Sequence, residues 1–387
     1  MAGKTWAWEA RSLRWLTLLW LAAGLVMLFS ASYFRASVEL GDGLYYIKRQ
    51  TIWAIVGLIG FAIAVRMPLR YLLGLSRGGL WVLLGLLWLI LIPGMGTSAN
   101  GATRWISIGL VSIQPSELIK PLLVLEGAKL FGRWNRQQWR DRLPQIGLFA
   151  AVLFGILMQP NLSTAALCGL TLWLMALAAG LPFPLLGGTA IGGTLLAATS
   201  LGINEYQRRR VLSFLNPAAN PDGDGYQLLQ SLFAVRSGGL LGEGFGLSER
   251  KLAALPIQHS DFIFAVFAEE FGFVGGILLL LLLAAYATLA LRVALKTPHP
   301  VHQSIAIGAM VLLVGQASIN MGVAIGVLPT TGLPFPLFSY GGSSIIASLV
   351  SAGLLVRVAR ESSSANVVPF ARKRRSGDEK LKPFASS

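Results

Sequence analysis

The chain has little charge. Only 13% of its 387 residues are Asp, Glu, Lys or Arg, whereas 54% are hydrophobic. Soluble globular domains carry about 25% charged residues. A soluble chain this apolar could not cover its own surface, and a mean hydropathy of +0.64 points the same way. Cysteine is almost absent. The single Cys168 lies inside an apolar run, so no intrachain disulfide is possible and redox compartment stays unread. No cluster of metal ligands and no clear internal repeat is visible. What the chain does carry is positive charge, formally +15. In a soluble protein that excess would suggest nucleic acid. Here the basic residues sit mainly in short loops between apolar runs, so membrane topology accounts for them and no nucleic-acid partner is expected.

A membrane span needs roughly 17–25 mostly apolar residues. On that basis the sequence predicts an all-α, polytopic membrane bundle of about ten spans. They lie near 13–32, 50–66, 78–93, 115–132, 145–159, 162–180, 184–201, 272–296, 303–327 and 340–359. The first run, Trp15 to Phe29 followed by Ser30-Ala31-Ser32, also resembles a signal peptide; the many spans behind it favour an uncleaved anchor. The short loops on one side carry Arg35, Lys48, Arg49 and Arg104, and the side of the termini carries most of the other cations. The positive-inside rule therefore places both termini in the cytoplasm. Residues 1–12 read as a cytoplasmic lead-in and 13–360 as the membrane domain. The segment from 361 to 387, with Arg372-Lys373-Arg374-Arg375, reads as a disordered basic tail near anionic lipid.

One outer connection, about 202–261 between the seventh and eighth spans, is long, and long loops in compact domains usually work. It holds Arg208-Arg209-Arg210, and Leu228, Leu229, Leu232, Phe233 and Val235 at helical spacing. Such a helix is expected in the membrane interface plane or as a structural lid.

Charges at or inside spans are costly and need a reason. Gln114-Pro115-Ser116-Glu117 reads as a helix start with Pro in the first turn and Glu bonding back to the cap. Glu117 and Lys120, three apart, can pair on one face or line a polar cavity. Arg104 beside Trp105 is either an interfacial anchor or a headgroup contact, and Arg49 caps the second span. Arg208, Arg209 and Arg210 lie on the side where topology disfavours cations, and arginine suits phosphate oxygens. His259-Ser260-Asp261 leads into the eighth span, where Asp261 reads as an N-cap or as a general base kept ionised by the helix dipole. On a straight helix Glu269 would lie about 80° round from Asp261 and Glu270 about opposite, so the two cannot share its site; either is a candidate cation ligand. Pro329 to Pro334 and Ser339-Tyr340-Gly341-Gly342-Ser343-Ser344 break helix at membrane depth, which is tolerated where backbone is buried or lines a cavity.

These motifs, in order, resemble the SEDS family (shape, elongation, division and sporulation), which includes FtsW and RodA. The resemblance runs from the first span to the tenth. It is carried by Gly101 to Ile106, Gln114 to Glu117 with Lys120, and Gln159 to Thr164. It continues through Gly225-Tyr226-Gln227 with Gln230-Ser231, Ser237 to Leu240, His259 to Phe264 with Glu269-Glu270, and Gly332 to Pro336 leading into Ser339 to Ser344. Asn161 stands where the family usually has Asp, so no acid's role is expected there; Ser260 replaces a usual Thr and keeps the hydroxyl. The compact run from Gly242 to Pro256 and Thr331 to Pro334 are closer to the FtsW type than to the RodA type.

The resemblance implies a glycosyltransferase that polymerises lipid II during septal wall synthesis and releases undecaprenyl pyrophosphate. It places the family's essential Asp on Asp261. Arg49, Arg104, Arg208, Arg209 and Arg210, with Glu117, Lys120, His259 and Ser343, become the candidates for binding substrate or pyrophosphate. A divalent cation, Mg or Mn, is a possible assistant but no cofactor is certain. The implied partners are a class B penicillin-binding protein of the FtsI type, other division proteins and membrane lipid, at the septal cytoplasmic membrane. A lipid II flippase, a RodA-like elongation polymerase and a non-catalytic scaffold stay open as alternatives.

Overall fold

The computed structural model describes residues 8–99, 102–109, 111–248 and 259–365. Most of the N-terminal lead-in, Gly101, the stretch before Pro256 and the Arg372–Arg375 tail lie outside the described residues.

All ten expected spans are helices. They are α1 (Trp8–Leu40), α2 (Tyr45–Arg66), α3 (Leu69–Ile90), α4 (Pro115–Phe131), α5 (Trp139–Met158), α6 (Leu162–Ala178) and α7 (Phe183–Ile203). Beyond the outer segment come α10 (Ile263–Lys296), a compound helix from Pro300 to Ala324, and α13 (Gly342–Ala365). Eight of them are long and apolar enough to cross a membrane; α4 and α6, at 17 residues each, are shorter. The protein is a multi-pass membrane protein. Several helices run past the expected ends, because polar residues continue a helix once its apolar part is anchored: α1 has 33 residues. The α1 side chains Leu13, Trp20, Met27 and Leu28 are buried in the main core, so the first span is part of the bundle.

Two clusters of buried side chains form the interior. The larger joins α1, α2, α10, the 300–324 helix and α13; the smaller joins α3, α4, α5 and α6. Helix α4 contributes to both, with Val124 and Ala128 on one and Ile119 and Leu130 on the other. Between α3 and α4 a three-stranded antiparallel sheet forms from β1 (Thr97–Ala99), β2 (Ala102–Ile108) and β3 (Val111–Ile113). This sheet was not anticipated, since its strands are only three to seven residues long.

The outer segment is not a bare loop. It contains α8 (Glu205–Leu215) and α9 (Tyr226–Ser237). The α9 helix packs on the protein as a lid would: its buried side is Leu228, Ser231 and Ala234, and Ser231 Oγ donates to the Ala324 carbonyl at 2.7 Å. Phe233 is exposed. The helix docks on protein because Ser and Ala let backbones approach where bulkier residues would not.

Helix α10 is not straight. Gly272, with φ +62° and ψ −162°, interrupts it. The segment 239–244 fills the gap. Glu243 and Gly244 N–H groups donate to the carbonyls of Glu269 and Glu270, and the Phe273 and Val274 N–H groups donate to Gly239 and Leu240, all at 2.9–3.1 Å. Broken backbone at membrane depth needs such substitutes. A side chain at Gly272 would meet the Gly242 nitrogen at 2.3 Å, so only glycine fits.

Candidate functional site

Asp261 stands in a turn, with α10 beginning two residues later at Ile263. The N-cap position belongs to Phe262 and no side chain caps the helix, which corrects the reading of Asp261 as a cap. Because Asp261 lies in the turn and not in the helix, the straight-helix angles to Glu269 and Glu270 do not apply. Ser260 Oγ donates to Asp261 Oδ1 at 2.9 Å, so the hydroxyl at that motif position has a function.

Three charged groups converge on one point. A carbon added at Gly332 would lie 3.5 Å from Arg104 Nη1, 3.9 Å from Arg210 Nη1 and 3.9 Å from Asp261 Oδ2. Arg104 comes from β2, Arg210 from α8, Asp261 from the turn before α10 and Gly332 from the broken stretch before α13. Arg104 is buried, and its guanidinium donates to the backbone carbonyls of Gln159 (3.2 Å) and Pro160. Gln159 is itself fixed by donating to the Leu87 carbonyl at 3.1 Å. Arg210 stacks over the Tyr206 ring at 4.7 Å, and Tyr206 also hydrogen-bonds Arg104. The strand and the outer helix thus aim their cations together.

Burial pushes the Asp261 carboxyl above the usual 3.8, against opposing contributions from the Ser260 hydrogen bond, Arg210 and Arg104. Burial thus opposes the ionised form that a helix dipole was expected to favour, and the two arginines support it. Its charge balance is set by burial and by two arginines. Burial likewise lowers the proton affinity of the Arg104 guanidinium, with Arg210 adding to the effect.

Buried amides tie this region together. Asn320 Nδ2 donates to the Asp261 carbonyl (2.8 Å) and to the Leu333 carbonyl (2.9 Å). Gln316 Nε2 donates to Pro334 O at 2.7 Å. Gln50 Nε2 donates to Ser339 O at 3.0 Å and its Oε1 accepts from Gly341 N at 3.1 Å. The Tyr340 N–H donates to His259 O at 2.8 Å, and Ser339 Oγ donates to Ser260 O.

The FtsW/RodA/SpoVE cell cycle protein family matches residues 10–364. The chain belongs to this family. A probable peptidoglycan glycosyltransferase FtsW of Synechocystis is 55% identical over 95% of this chain and 93% of its own length. Stage V sporulation protein E of Bacillus subtilis is 35% identical over 90% and 96%. Among solved structures, a chain of a peptidoglycan synthase complex that coordinates polymerization and crosslinking aligns with a TM-score of 0.73 and 31% identity, over 92% of this chain and 98% of that one. The rod shape determining protein RodA of Thermus thermophilus aligns at 0.67 and 28%, over 94% and 99%.

The other sequence candidates of this family member fall in different places. Arg209 pairs with Glu205 on the exposed face of α8, and Arg208 is exposed, so of the three only Arg210 turns inward. Arg49 donates to the Tyr45 hydroxyl and lies 5.4 Å from that ring. Next to it, His259 stacks on Tyr46 with centroids 4.3 Å apart and meets Tyr340 edge-on. Burial lowers the His259 pKa to about 4, so it is neutral, and its Nδ1 has no partner. Glu117 and Lys120 form a buried ion pair, and Lys120 Nζ also donates to Gln316 at 3.0 Å. That pair supports the Pro334 carbonyl through Gln316. Ser343 accepts from the Gln114 N–H at 2.9 Å, which joins the start of α4 to α13 and takes the place of the capping box expected there.

Glu269 accepts from Ser237 and Ser248, and Glu270 accepts from Ser30 at 2.5 Å. Both hold the α10 break in place. Among the described residues no group of three His, Cys, Asp or Glu is placed to hold a metal. Asn161 caps α6, its side chain accepting from Thr164 N at 3.3 Å. Sequence reasoning missed Gln50, Tyr206, Gln316 and Asn320. Their one signal was polarity inside or beside apolar runs, without charge to draw attention to it.

Proposed function

We propose that this protein is a peptidoglycan glycosyltransferase that polymerises lipid II, with Asp261 as general base and Arg104 and Arg210 as the pyrophosphate clamp. The observation that carries the site assignment is the meeting of one carboxylate and two arginines at Gly332. In the reaction, the 4-hydroxyl of incoming lipid II attacks the anomeric carbon of the growing strand. Asp261 takes the hydroxyl proton as the new glycosidic bond forms. The old bond from that carbon to phosphate breaks, and its electron pair leaves on undecaprenyl pyrophosphate, with inversion at carbon. Arginine forks match phosphate oxygens and hold the departing charge. A base whose proton affinity is lifted by burial is a better acceptor at neutral pH than a free carboxylate. No second carboxylic acid is required, because the leaving group is already an anion held by cations.

The role is septal, at the cytoplasmic membrane with both termini inside, beside a crosslinking penicillin-binding protein. The identity to FtsW-named relatives and the likeness to a chain of a peptidoglycan synthase complex support that placement. The test is strand synthesis from labelled lipid II by the protein purified with its cognate penicillin-binding protein, the transpeptidase site blocked. Native protein should make long strands, and Asp261→Asn should lose on the order of 10²–10⁴-fold in rate. Equal rates would remove Asp261 as the base. Binding of lipid II without any strands from native protein would favour a flippase.

A further inference from the structure

The amide of Asn320 poses an energetic problem that the reaction does not explain. Asn320 is 1% exposed, and its two hydrogen bonds both leave from the same nitrogen. Its oxygen, Oδ1, is buried with no partner. The orientation is fixed by chemistry: both neighbours are backbone carbonyls, which only the NH₂ end can serve. A buried acceptor left unpaired is destabilising. An apolar residue of similar size would remove that orphaned oxygen but would leave the Asp261 and Leu333 carbonyls without their donor.

The surroundings show what it holds. One carbonyl belongs to Asp261 and the other to Leu333, next to Gly332. The single NH₂ group therefore spans the two segments whose separation sets how far the carboxylate stands from the reaction point. The helix also departs from regularity here. Val311–Gly315 forms a π turn between α11 (Pro300–Met310) and α12 (Gln316–Ala324), directly before the face that carries Gln316 and Asn320. Such turns concentrate at functional sites. Gln316 and Asn320, four apart, both donate into the 333–334 backbone.

We propose that Asn320 is a positioning residue for Asp261, fixing the carboxylate-bearing turn against the Gly332 segment through its forked amide. This rests on the reading of Asp261 as the base. Among the described residues, the charged groups facing Asp261 are Arg104 from β2 and Arg210 from α8, with Ser260 as its hydroxyl partner and Tyr206 beside the two arginines. Asn320 adds no charge to this set. Replacing it by the isosteric acid would turn a donor into an acceptor against two carbonyls and bring a negative charge to the same turn.

The experiment uses the full chain with its penicillin-binding partner and follows initial rates of strand synthesis from lipid II against substrate concentration and pH. Thermal unfolding is recorded for each variant. Asn320→Ala should lower kcat on the order of tenfold to a hundredfold, the scale of small misplacements, with KM within about twofold. Asn320→Asp should lower kcat and also move the acid limb of the pH–rate profile to higher pH, since a nearby negative charge favours the protonated Asp261. A purely structural loss would leave that limb in place. Native kcat in Asn320→Ala, or an unmoved limb in Asn320→Asp, overturns the proposal. Asp261→Asn run in parallel separates the two readings. If it is inactive while the Asn320 variants behave as native, only the positioning role fails; if it is fully active, the base assignment fails and the positioning role with it. Should Asn320→Ala not fold, the limb in Asn320→Asp decides.

Discussion

Helices α7 and α13 read almost alike as sequence and live in opposite surroundings. Both are rich in small residues and Leu, with Gly and Thr frequent in α7 and Ser and Ala in α13, and their apolar stretches average hydropathy 1.4 and 1.7. Yet 78% of the α13 window is buried inside the protein and only 6% of the α7 window. Helix α13 packs along the whole of α2, where Gly57 and Gly353 admit close backbone approach. Helix α7 buries only Leu186 and leaves Phe183 and Ile203 more than 80% exposed. Hydropathy states that a segment leaves water; it does not state whether protein or lipid receives it. The comparison has a functional side. The weakly held span leads directly into α8, which carries Arg210, whereas the 300–324 helix, with 61% of its apolar stretch buried, carries the Asn320 amide that holds the Asp261 carbonyl.

The sharpest way to test that contrast is at the arginines. Arg210→Ala should reduce kcat/KM on the order of a hundredfold, while Arg209→Ala, whose partner is the exposed Glu205, should stay within about twofold. Strand synthesis measured for the pair would dissolve the distinction if both fell equally. A smaller effect is expected in packing. At Gly353 an added carbon would meet Ala64 Cβ and Phe61 O at 2.9 Å, so Gly353→Ala should cost about 1–3 kcal/mol of stability. At Gly192 nothing lies within 4 Å, and Gly192→Ala should be neutral or stabilising by up to about 1 kcal/mol. Thermal unfolding in detergent gives both signs, and equal losses would mean that α7 packs as tightly as α13.

A further prediction follows from proton affinity. The folded pKa of Asp261 is raised above 3.8, so the protonated form is the one the fold favours. That favour is present at low pH and is lost as pH rises through the raised value. Asp261→Asn should therefore melt higher than native protein at pH 7, with the gap closing towards pH 4; a lower melting point at pH 7 would contradict burial as the dominant cause. The smallest effect concerns His259. With its folded pKa near 4, below the unfolded 6.5, its neutral form stabilises above pH 6.5 and that contribution fades as pH falls through the interval. His259→Phe should flatten this part of the stability–pH curve and leave the curve above pH 7 unchanged.

The sequence by itself determined the order and approximate bounds of the ten helices, because twenty-odd apolar residues between polar ends have no other stable place than a bilayer. It also brought forward Arg49, Arg104, the run Arg208 to Arg210 and Asp261, since charge beside apolar runs is costly enough to stand out. Tertiary structure decided which of those charges meet. Arg208, Arg209 and Arg210 are indistinguishable as letters, and only the docking of α8 turns one inward. Asp261 stands in a turn before the helix that begins at Ile263, so straight-helix angles counted from it to Glu269 and Glu270 miss their targets. The buried amides Gln50, Gln316 and Asn320 bond to backbone carbonyls and N–H groups, which are the same at every position and leave no trace in side-chain pattern. Local propensity and hydropathy act along the chain and are written in it, whereas the site is made of contacts between distant segments that exist only after folding.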